Sequence, residues 1–327
     1  MTNENIESAV RLIQGAQRIA LVTHIQPDPD AIGALLGLGL GLTSLGKEVE
    51  LFDDDVPPDS VSFLSGVSQV RQQVPAAYKP DLVVALDSSD AERLGETGHA
   101  LLALKLPLLS IDHHATNSRF GMVNWVDEHA ASTAEMIPAL LDALGVEINT
   151  TIATSLYAGI LGDTVGFSTA SVSPGTMRTA GRLIEYGIDV SGIAQQVLRR
   201  KTLDTLRLWG IGLRNLYFEQ GVVYSVISRE ERAQLNLEQD MRAGLSTSLR
   251  DVAGVVIAAV FSERDDGTVD VSLRAAPGYD VAGVALSLGG GGHILAAGAT
   301  VDGPLDDVVK RVVNLLKAQT VSLAEEE

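Results

Sequence analysis

Asp112, His113 and His114 stand side by side at the end of the apolar run "LPLLSI". Such a triplet can be a solvated strand end, an acid–base pair or one corner of a metal site, and only partners from other segments can decide. Three other segments offer them. The run "IALVT" leads into His24, Asp28 and Asp30 in "HIQPDPDAIG", "LVVAL" leads into Asp87 in "DSSD", and "SLYAGILGDTVGF" carries Asp163. Taken singly, each residue is ordinary. An aspartate before a helix is most often an N-cap, which is the simplest reading of Asp30 and also of Asp28. Asp87 alone reads as a turn former. Together they carry more weight, because the chain has six histidines and three of them fall at these ends beside carboxylates. Carboxylates gathered this closely repel one another unless a cation sits among them.

Imidazole with several carboxylates and no thiolate suits Mn²⁺, Mg²⁺ or Co²⁺ better than structural zinc. These side chains are too many for one ion and suit two that share a bridging carboxylate. Two ions roughly 3.5–4 Å apart activate a water and clamp both the attacking and the leaving oxygen of a phosphoryl displacement. The residues therefore predict a dinuclear phosphoesterase. His99 in "ETGHALL" and His129 in "DEHAAST" lack flanking acids on a strand end and read as surface or helix-start residues.

The elements that must position this set follow from hydrophobic patterning. Residues 3–16 read as a helix with Ile6, Val10 and Ile13 on one face, and short β-branched or apolar runs at 18–24, 47–52, 81–87 and 106–112 read as strands. Between the first two strands "PDAIGALLGLGLGLTSLG" is apolar at helical spacing, and a further helix follows residue 131. Strands alternating with helices predict an α/β fold, a mostly parallel sheet covered by helices on both faces, whose ligands bind beyond the carboxyl ends of the strands. Residues 150–213 read as almost wholly helical. Beyond them, "GVVYSVIS" and "GVVIAAVFSERDDGTVDVSLRA" alternate like strands around a "DDG" turn, with helices expected near 237–248, 280–288 and 304–318 and a frayed tail "SLAEEE". The expected organisation is a first domain over 1–185, a helical linker over 186–213, and a smaller α/β domain with a mixed sheet over 214–320.

Composition narrows the function. A net charge of −18 argues against a broad footprint on duplex nucleic acid and favours small anionic substrates held locally. Cysteine is absent, which removes disulfides and thiolate chemistry and fits a reducing cytoplasm. No apolar stretch is long and uninterrupted enough to span a bilayer, so no membrane partner is expected.

In order and spacing, "HIQPDPDAIG", "ALDSSDAERLG", "IDHHATN" and "GILGDTVGF" resemble the four acidic motifs of the DHH phosphoesterase family. The C-terminal "VSLRAAPGYDVAGVALSLGGGGHILAAGA" resembles the family's associated substrate-binding domain, marked by the glycine-rich "GGGGH". The resemblance covers nearly the whole chain and lies with the nanoRNase and pAp phosphatase branch. It implies a manganese-dependent hydrolase of short RNA or linear dinucleotides, with pAp phosphatase and cyclic di-AMP phosphodiesterase as alternatives and an inactive nucleotide-binding protein as a weaker one.

By the same resemblance, His24, Asp28 and Asp87 would hold one ion, and Asp30, Asp87, His113 and Asp163 the other. Asp112 would orient the histidines, His114 would face the phosphate or leaving group, and the nucleophile would be a metal-bridging hydroxide. Arg274, Gly290, Gly291, Gly292 and His293 would bind substrate, with His293 at a helix start; the sequence leaves a homodimer open and does not fix the oligomeric state. Three departures stand out: Pro29 between the motif I aspartates, Asp270 where a basic residue is common, and Ser168 where an arginine is common. The last two remove cations and should weaken binding of highly charged substrates such as pAp.

Overall fold

The structure, a computed structural model, describes residues 3–235 and 244–324. The chain divides into two compact units, Met1–Arg200 and Lys201–Glu327. In the first, helix α1 (Asn3–Gly15) leads into β1 (Arg18–Val22), α2 (Pro29–Ser44), β2 (Glu48–Phe52), β3 (Leu82–Leu86) and α3 (Gly95–Leu102). Then come β4 (Leu108–Asp112), β5 (Val123–Val126), α4 (Thr133–Leu144), α5 (Thr150–Asp163), α6 (Pro174–Ile184) and α7 (Val190–Ala194). The five strands lie in the order β2-β1-β3-β4-β5, and every pairing is parallel.

Both faces of this sheet are covered, as near-continuous apolar strands require. Ile19, Leu21, Val84, Leu109 and Ile111 pack with Ile13, Leu35, Ile137 and Leu156 of the α1, α2, α4 and α5 layer. The alternate residues Ala20, Val22, Val83, Ala85 and Leu108 turn to the opposite face, against Leu94 and Leu101. The glycines of α2 are packing devices. A Cβ on Gly33 would lie 2.6 Å from the Ser155 carbonyl oxygen, and one on the facing Gly159 of α5 would lie 2.6 Å from the Ala134 Cβ. Close approach of α2 and α5 is what brings Asp30 and Asp163, from distant parts of the chain, to one end of the sheet.

The edge strand β5 was not expected. Its four residues, "VNWV", are too short and mixed to announce a strand, and burial of Trp125 supplies what the pattern lacks.

The second unit contains α8 (Leu203–Arg214), β6 (Leu216–Glu219), β7 (Val222–Ile227), α9 (Arg229–Ala233), α10 (Leu245–Arg250), β8 (Ile257–Glu263) and β9 (Val269–Ala275). It continues through α11 (Val281–Ser287), β10 (Gly291–His293), β11 (Ala296–Val301) and α12 (Leu305–Ala324). Its six-stranded sheet runs β10-β11-β9-β8-β7-β6, with β7 and β8 parallel and the other pairs antiparallel. Phe261, Val271 and Leu273 face α11 and α12 through Val284, Val312 and Leu316. Ala258, Val260 and Val223 face Leu208 of α8 and Leu245 and Leu249 of α10.

Two expectations are corrected here. His293 does not open a helix but ends strand β10, because "GGGGH" forms the first arm of a hairpin with β11. Ser322–Ala324 of the expected frayed tail belong to α12, while the final three residues lie outside the described ones. Most of the helix expected near 237–248 also lies outside the described residues, and α10 begins at Leu245.

Candidate metal centre and substrate-binding strands

The polar residues at the carboxyl ends of β1, β3 and β4 meet the C-terminal end of α5 and the N-terminal ends of α2 and α4. Asp28, not Asp30, is the N-cap of α2: its Oδ1 accepts the Asp30 and Ala31 N–H groups at 2.8 and 3.0 Å. Asp30 lies fully buried in the first turn, where its two oxygens accept the N–H groups of Thr133 (2.7 Å) and Ala134 (2.9 Å) at the start of α4. These bonds fix a carboxylate at a helix N-terminus, where a negative charge is favoured.

Asp87 is buried at the end of β3 in a left-handed conformation, φ 57°, which aspartate tolerates better than most residues. Its Oδ2 lies 3.5 Å from His24 Nε2, its Oδ1 lies 3.6 Å from His113 Nε2, and Oδ1 also accepts the Thr133 hydroxyl at 2.9 Å. Asp163 Oδ2 stands 3.6 Å from the same His113 Nε2.

The three histidines are held differently. His24 Nδ1 lies 2.8 Å from the Ile25 carbonyl and 3.1 Å from an Arg93 guanidinium nitrogen, and His113 Nδ1 lies 3.3 Å from the Ala130 carbonyl, so both rings turn Nε2 to the carboxylates. His114 instead directs Nδ1 to Asp112 Oδ1 at 2.7 Å. Asp112 Oδ1 also accepts the His113 N–H at 2.9 Å, and Asn117 donates to Asp112 Oδ2 at 2.7 Å. Asp112 thus orients the ring of His114 and only the backbone of His113.

The donor set fits divalent cations. His24, Asp28 and Asp87 form one group and Asp30, His113 and Asp163 another, each with ligand atoms within 4.8 Å of one another, and Asp87 also reaches His113. Gaps of 3.5–3.6 Å between Nε2 and carboxylate oxygens are too wide for hydrogen bonds. They match ligands that share an ion about 2.1 Å from each. Asp87, His113 and His114 also lie close enough to form a group, but the Nδ1 of His114 is already committed to Asp112. Oxygen and imidazole donors without sulfur are those of Mn²⁺, Mg²⁺ and related ions.

Electrostatics agrees. Burial, and then repulsion from Asp87, raises the carboxyl groups of Asp28 and Asp30, and burial pushes Asp163 up to about 6. Burial also opposes the Asp87 anion, yet the surrounding histidines hold it below the usual carboxylate range. Burial would lower His24, but Asp87 outweighs it and pushes the imidazole up to about 9. Positive charge is what this cluster demands.

His99 on α3 and His129 before α4 are both exposed and stand apart from these groups. Thr133 and Asn117 are the partners that sequence reasoning missed. Thr133 shows a signal only in hindsight, as the residue after the N-cap Ser132 of α4.

In the second unit, register places two further residues. Arg274 of β9 pairs with Ala296 of β11, and Ala296 pairs with His293 of β10. Residues paired across a sheet share a face, so Arg274 and His293 flank a small alanine roughly 10 Å apart, two strand spacings. Arg274 is half-buried, donates from one guanidinium nitrogen to its neighbour's carbonyl (Leu273, 2.8 Å), and forms no ion pair with a carboxylate among the described residues.

The glycines before His293 differ. A Cβ on Gly290 would sit 2.1 Å from the Gly298 carbonyl oxygen, and Gly292, at φ 137°, meets the Ala296 carbonyl oxygen at 2.6 Å. Both are required by the hairpin. A Cβ on Gly291 would meet nothing within 4 Å, and Gly291 shares a strand face with His293. Asp270, the first lost cation, is bound by Arg264 at 2.6 Å and by Thr300 at 2.7 Å, and the hydroxyl of Ser168, the second, donates to Val165.

A parallel α/β sheet with carboxylates and imidazoles gathered at its carboxyl edge, followed by a separate mixed-sheet unit, defines a two-domain protein whose site is built for divalent cations. Sequence comparison makes the class specific. Residues 18–160 match the DHH family, N-terminal domain, and residues 219–321 match the DHHA1 domain. A Thermus thermophilus protein named bifunctional oligoribonuclease and PAP phosphatase NrnA is 34% identical over 96% of this chain and 93% of its own length. A Bacillus subtilis protein of the same name is 31% identical over 89% and 92%. The cyclic-di-AMP phosphodiesterase GdpP of Geobacillus thermodenitrificans is 27% identical over 90% of this chain but 46% of its own length. An exopolyphosphatase-related protein from Bacteroides fragilis shares the fold, with a TM-score of 0.92 at 23% identity over 99% of this chain and 98% of that one. The chain belongs to the DHH family, whose phosphoesterases depend on metal ions. Among the described residues no helix is long and apolar enough to cross a membrane.

Proposed function

We propose that this protein hydrolyses short oligoribonucleotides or linear dinucleotides to mononucleotides and also removes a phosphate from pAp. The observation that carries the reading is the convergence of His24, Asp28, Asp30, Asp87, His113 and Asp163 at one end of the parallel sheet. The relatives named oligoribonuclease and PAP phosphatase, aligned over most of their own length, support the substrate class.

His24, Asp28 and Asp87 would hold one ion, and Asp30, Asp87, His113 and Asp163 the second. Manganese is the first candidate. Bound there, two such ions supply an activated water and charge stabilisation for a phosphoryl displacement.

The chain's own residues do the rest. Asp87 serves both positions, with Thr133 fixing one of its oxygens. Asp112 and Asn117 lock the ring of His114, so this imidazole can give a hydrogen bond or a proton to the oxygen that leaves phosphorus. In the second unit, Arg274 provides a fork for a phosphate or base, Gly291 lets a ligand approach the backbone, and His293 lies on the same face. Phosphate contacts made by two residues and a backbone suit a substrate of a few nucleotides, in keeping with the acidic surface.

A cyclic di-AMP activity is the second reading, favoured by the similarity to GdpP. Cytoplasmic residence is supported by the absence of cysteine. Purified protein supplied with Mn²⁺ should be assayed on 5′-labelled RNA of two to five nucleotides, pAp, and linear and cyclic di-AMP. Turnover is expected on short RNA first and more weakly on pAp, since two cations are lost. Inertness toward all of them would defeat the proposal.

A further inference from the structure

Three aromatic rings of the second unit form a row that ends in the open. Phe261 of β8 and Tyr224 of β7 meet edge to face (centroids 6.3 Å, 88°), and Tyr224 stacks on Tyr217 of β6 (5.0 Å, 17°). The first two rings are buried in the core beneath α12, whereas Tyr217 is 51% exposed. Strand β6 is the edge of the sheet, so no further strand supplies a ring to continue the row.

Beside Tyr217 and Tyr224 lies a cavity of about 310 Å³, walled on its other side by α12. Ligand pockets run from roughly 300 to 1,000 Å³, so this one suits a single small molecule and not a chain. Val226, Val309 and Val313 give it apolar contact. Asp306, Lys310 and Asn314 line it at every fourth residue of α12, a spacing that sets them on one face. Among the described residues, none of these three has a side-chain hydrogen bond or ion pair. Lys317 and the Tyr224 hydroxyl, in contrast, are both committed to Glu219, which holds the stacked pair in place.

These groups match a nucleotide. Every base offers a face to an aromatic ring, an ammonium pairs with a phosphate, and the amide and carboxylate can bond a base edge and sugar hydroxyls. The cavity is separate from the strands already assigned to substrate. Tyr217 pairs through Tyr224 with Ala259 on the face that α12 covers, whereas Arg274 pairs with Ala258 on the face that α8 and α10 cover. The strands of Tyr217 and His293 are opposite edges of the six-stranded sheet, five spacings or roughly 24 Å apart.

We propose that this cavity is a second nucleotide site, which holds one nucleoside 5′-monophosphate with its base on Tyr217 and its phosphate on Lys310. The choice of a nucleotide rests on the reading above, because hydrolysis of short RNA releases that class of molecule. Binding is measured here without turnover, so the two readings fail separately. The full chain with Mn²⁺ should be photolabelled with 8-azidoadenosine 5′-monophosphate and its peptides mapped. A peptide from β6, β7 or α12 should carry label that AMP displaces. In calorimetric titration with AMP, Tyr217→Leu should weaken one site at least about 10-fold, with an unchanged melting temperature, and Tyr217→Phe should restore it. Lys310→Ala should lose the preference of that site for AMP over adenosine. Label confined to other peptides, or AMP binding indifferent to Tyr217→Leu, would overturn the proposal. A protein inert toward every substrate yet labelled here would defeat only the proposed activity.

Discussion

The hydroxyl of Thr133 donates to Oδ1 of Asp87 at 2.9 Å, with both residues buried. The same residue gives its backbone N–H to Asp30, so one position at the start of α4 braces two carboxylates, one in the first turn of α2 and one at the end of β3. Thr133→Val keeps the shape and removes the hydroxyl. Loss of such a bracing group around metal ligands typically costs 10–100-fold in metal affinity. Manganese titration of metal-stripped Thr133→Val should show a loss in that range, with a preserved far-ultraviolet dichroism spectrum. An affinity equal to wild type would show that Asp87 needs no brace.

Gly159 ties packing to chemistry. A methyl group there would lie 2.6 Å from the Ala134 Cβ and 3.0 Å from Asp30 Oδ1. Overpacking of this kind costs about 1–3 kcal/mol, so Gly159→Ala should lower the melting temperature and weaken metal binding together. Gly181→Ala, on α6 and open within 4 Å, is the control and should do neither.

The glycine run before His293 can be divided by mutation. Gly290→Ala should destabilise the hairpin, because its Cβ would strike the Gly298 carbonyl. Gly291→Ala should leave the melting temperature unchanged and raise KM for a trinucleotide, and Arg274→Ala and His293→Ala should do the same with metal content intact. Metal loss in either of the last two variants would mean that β9 and β10 have been assigned the wrong task.

Stability of the metal-stripped protein should fall as pH rises. Burial raises Asp28 and Asp30, pushes Asp163 to about 6 and Asp53 to about 7, and the charge of Asp87 lifts His24 to about 9 against burial. Each group binds its proton more tightly folded than unfolded, where carboxyls titrate near about 4 and imidazole near about 6.5. The carboxylates therefore cost stability as they ionise above pH about 4, and the contribution of protonated His24 is lost between about 6.5 and about 9. Asp87, held low, works in the opposite sense but only below the ordinary carboxylate range. In EDTA the melting temperature should decline from pH 5 to pH 8, and Mn²⁺ should flatten or reverse that slope. A metal-free melting temperature that climbs over this range would contradict the buried-charge account.

The six proposed ligands were legible in the sequence because each borders an apolar run, and the parallel sheet gathers the carboxyl ends of β1, β3 and β4 at one edge, where α2 starts and α5 ends. Which aspartate caps α2 was not legible. "DPD" offers two candidates, and only the N-terminus of α4, more than 100 residues away, claims Asp30. Thr133 was hidden for the same reason, since its partners are close in space alone. The β10–β11 hairpin escaped because glycine carries almost no strand signal, and its pairing is fixed by backbone approach at Gly290 and Gly292. Long-range backbone contacts leave little mark on local patterning.

The central claim is that Asp87 is shared by two ions that carry out phosphoester hydrolysis. Metal content of purified protein, measured by plasma mass spectrometry alongside trinucleotide turnover, tests it most directly. Wild type should hold two manganese ions per chain, and Asp87→Ala should hold fewer than one and lose at least about 10³-fold in rate, as loss of a group that serves both ions implies. Two retained ions with metal-dependent turnover in Asp87→Ala would contradict it.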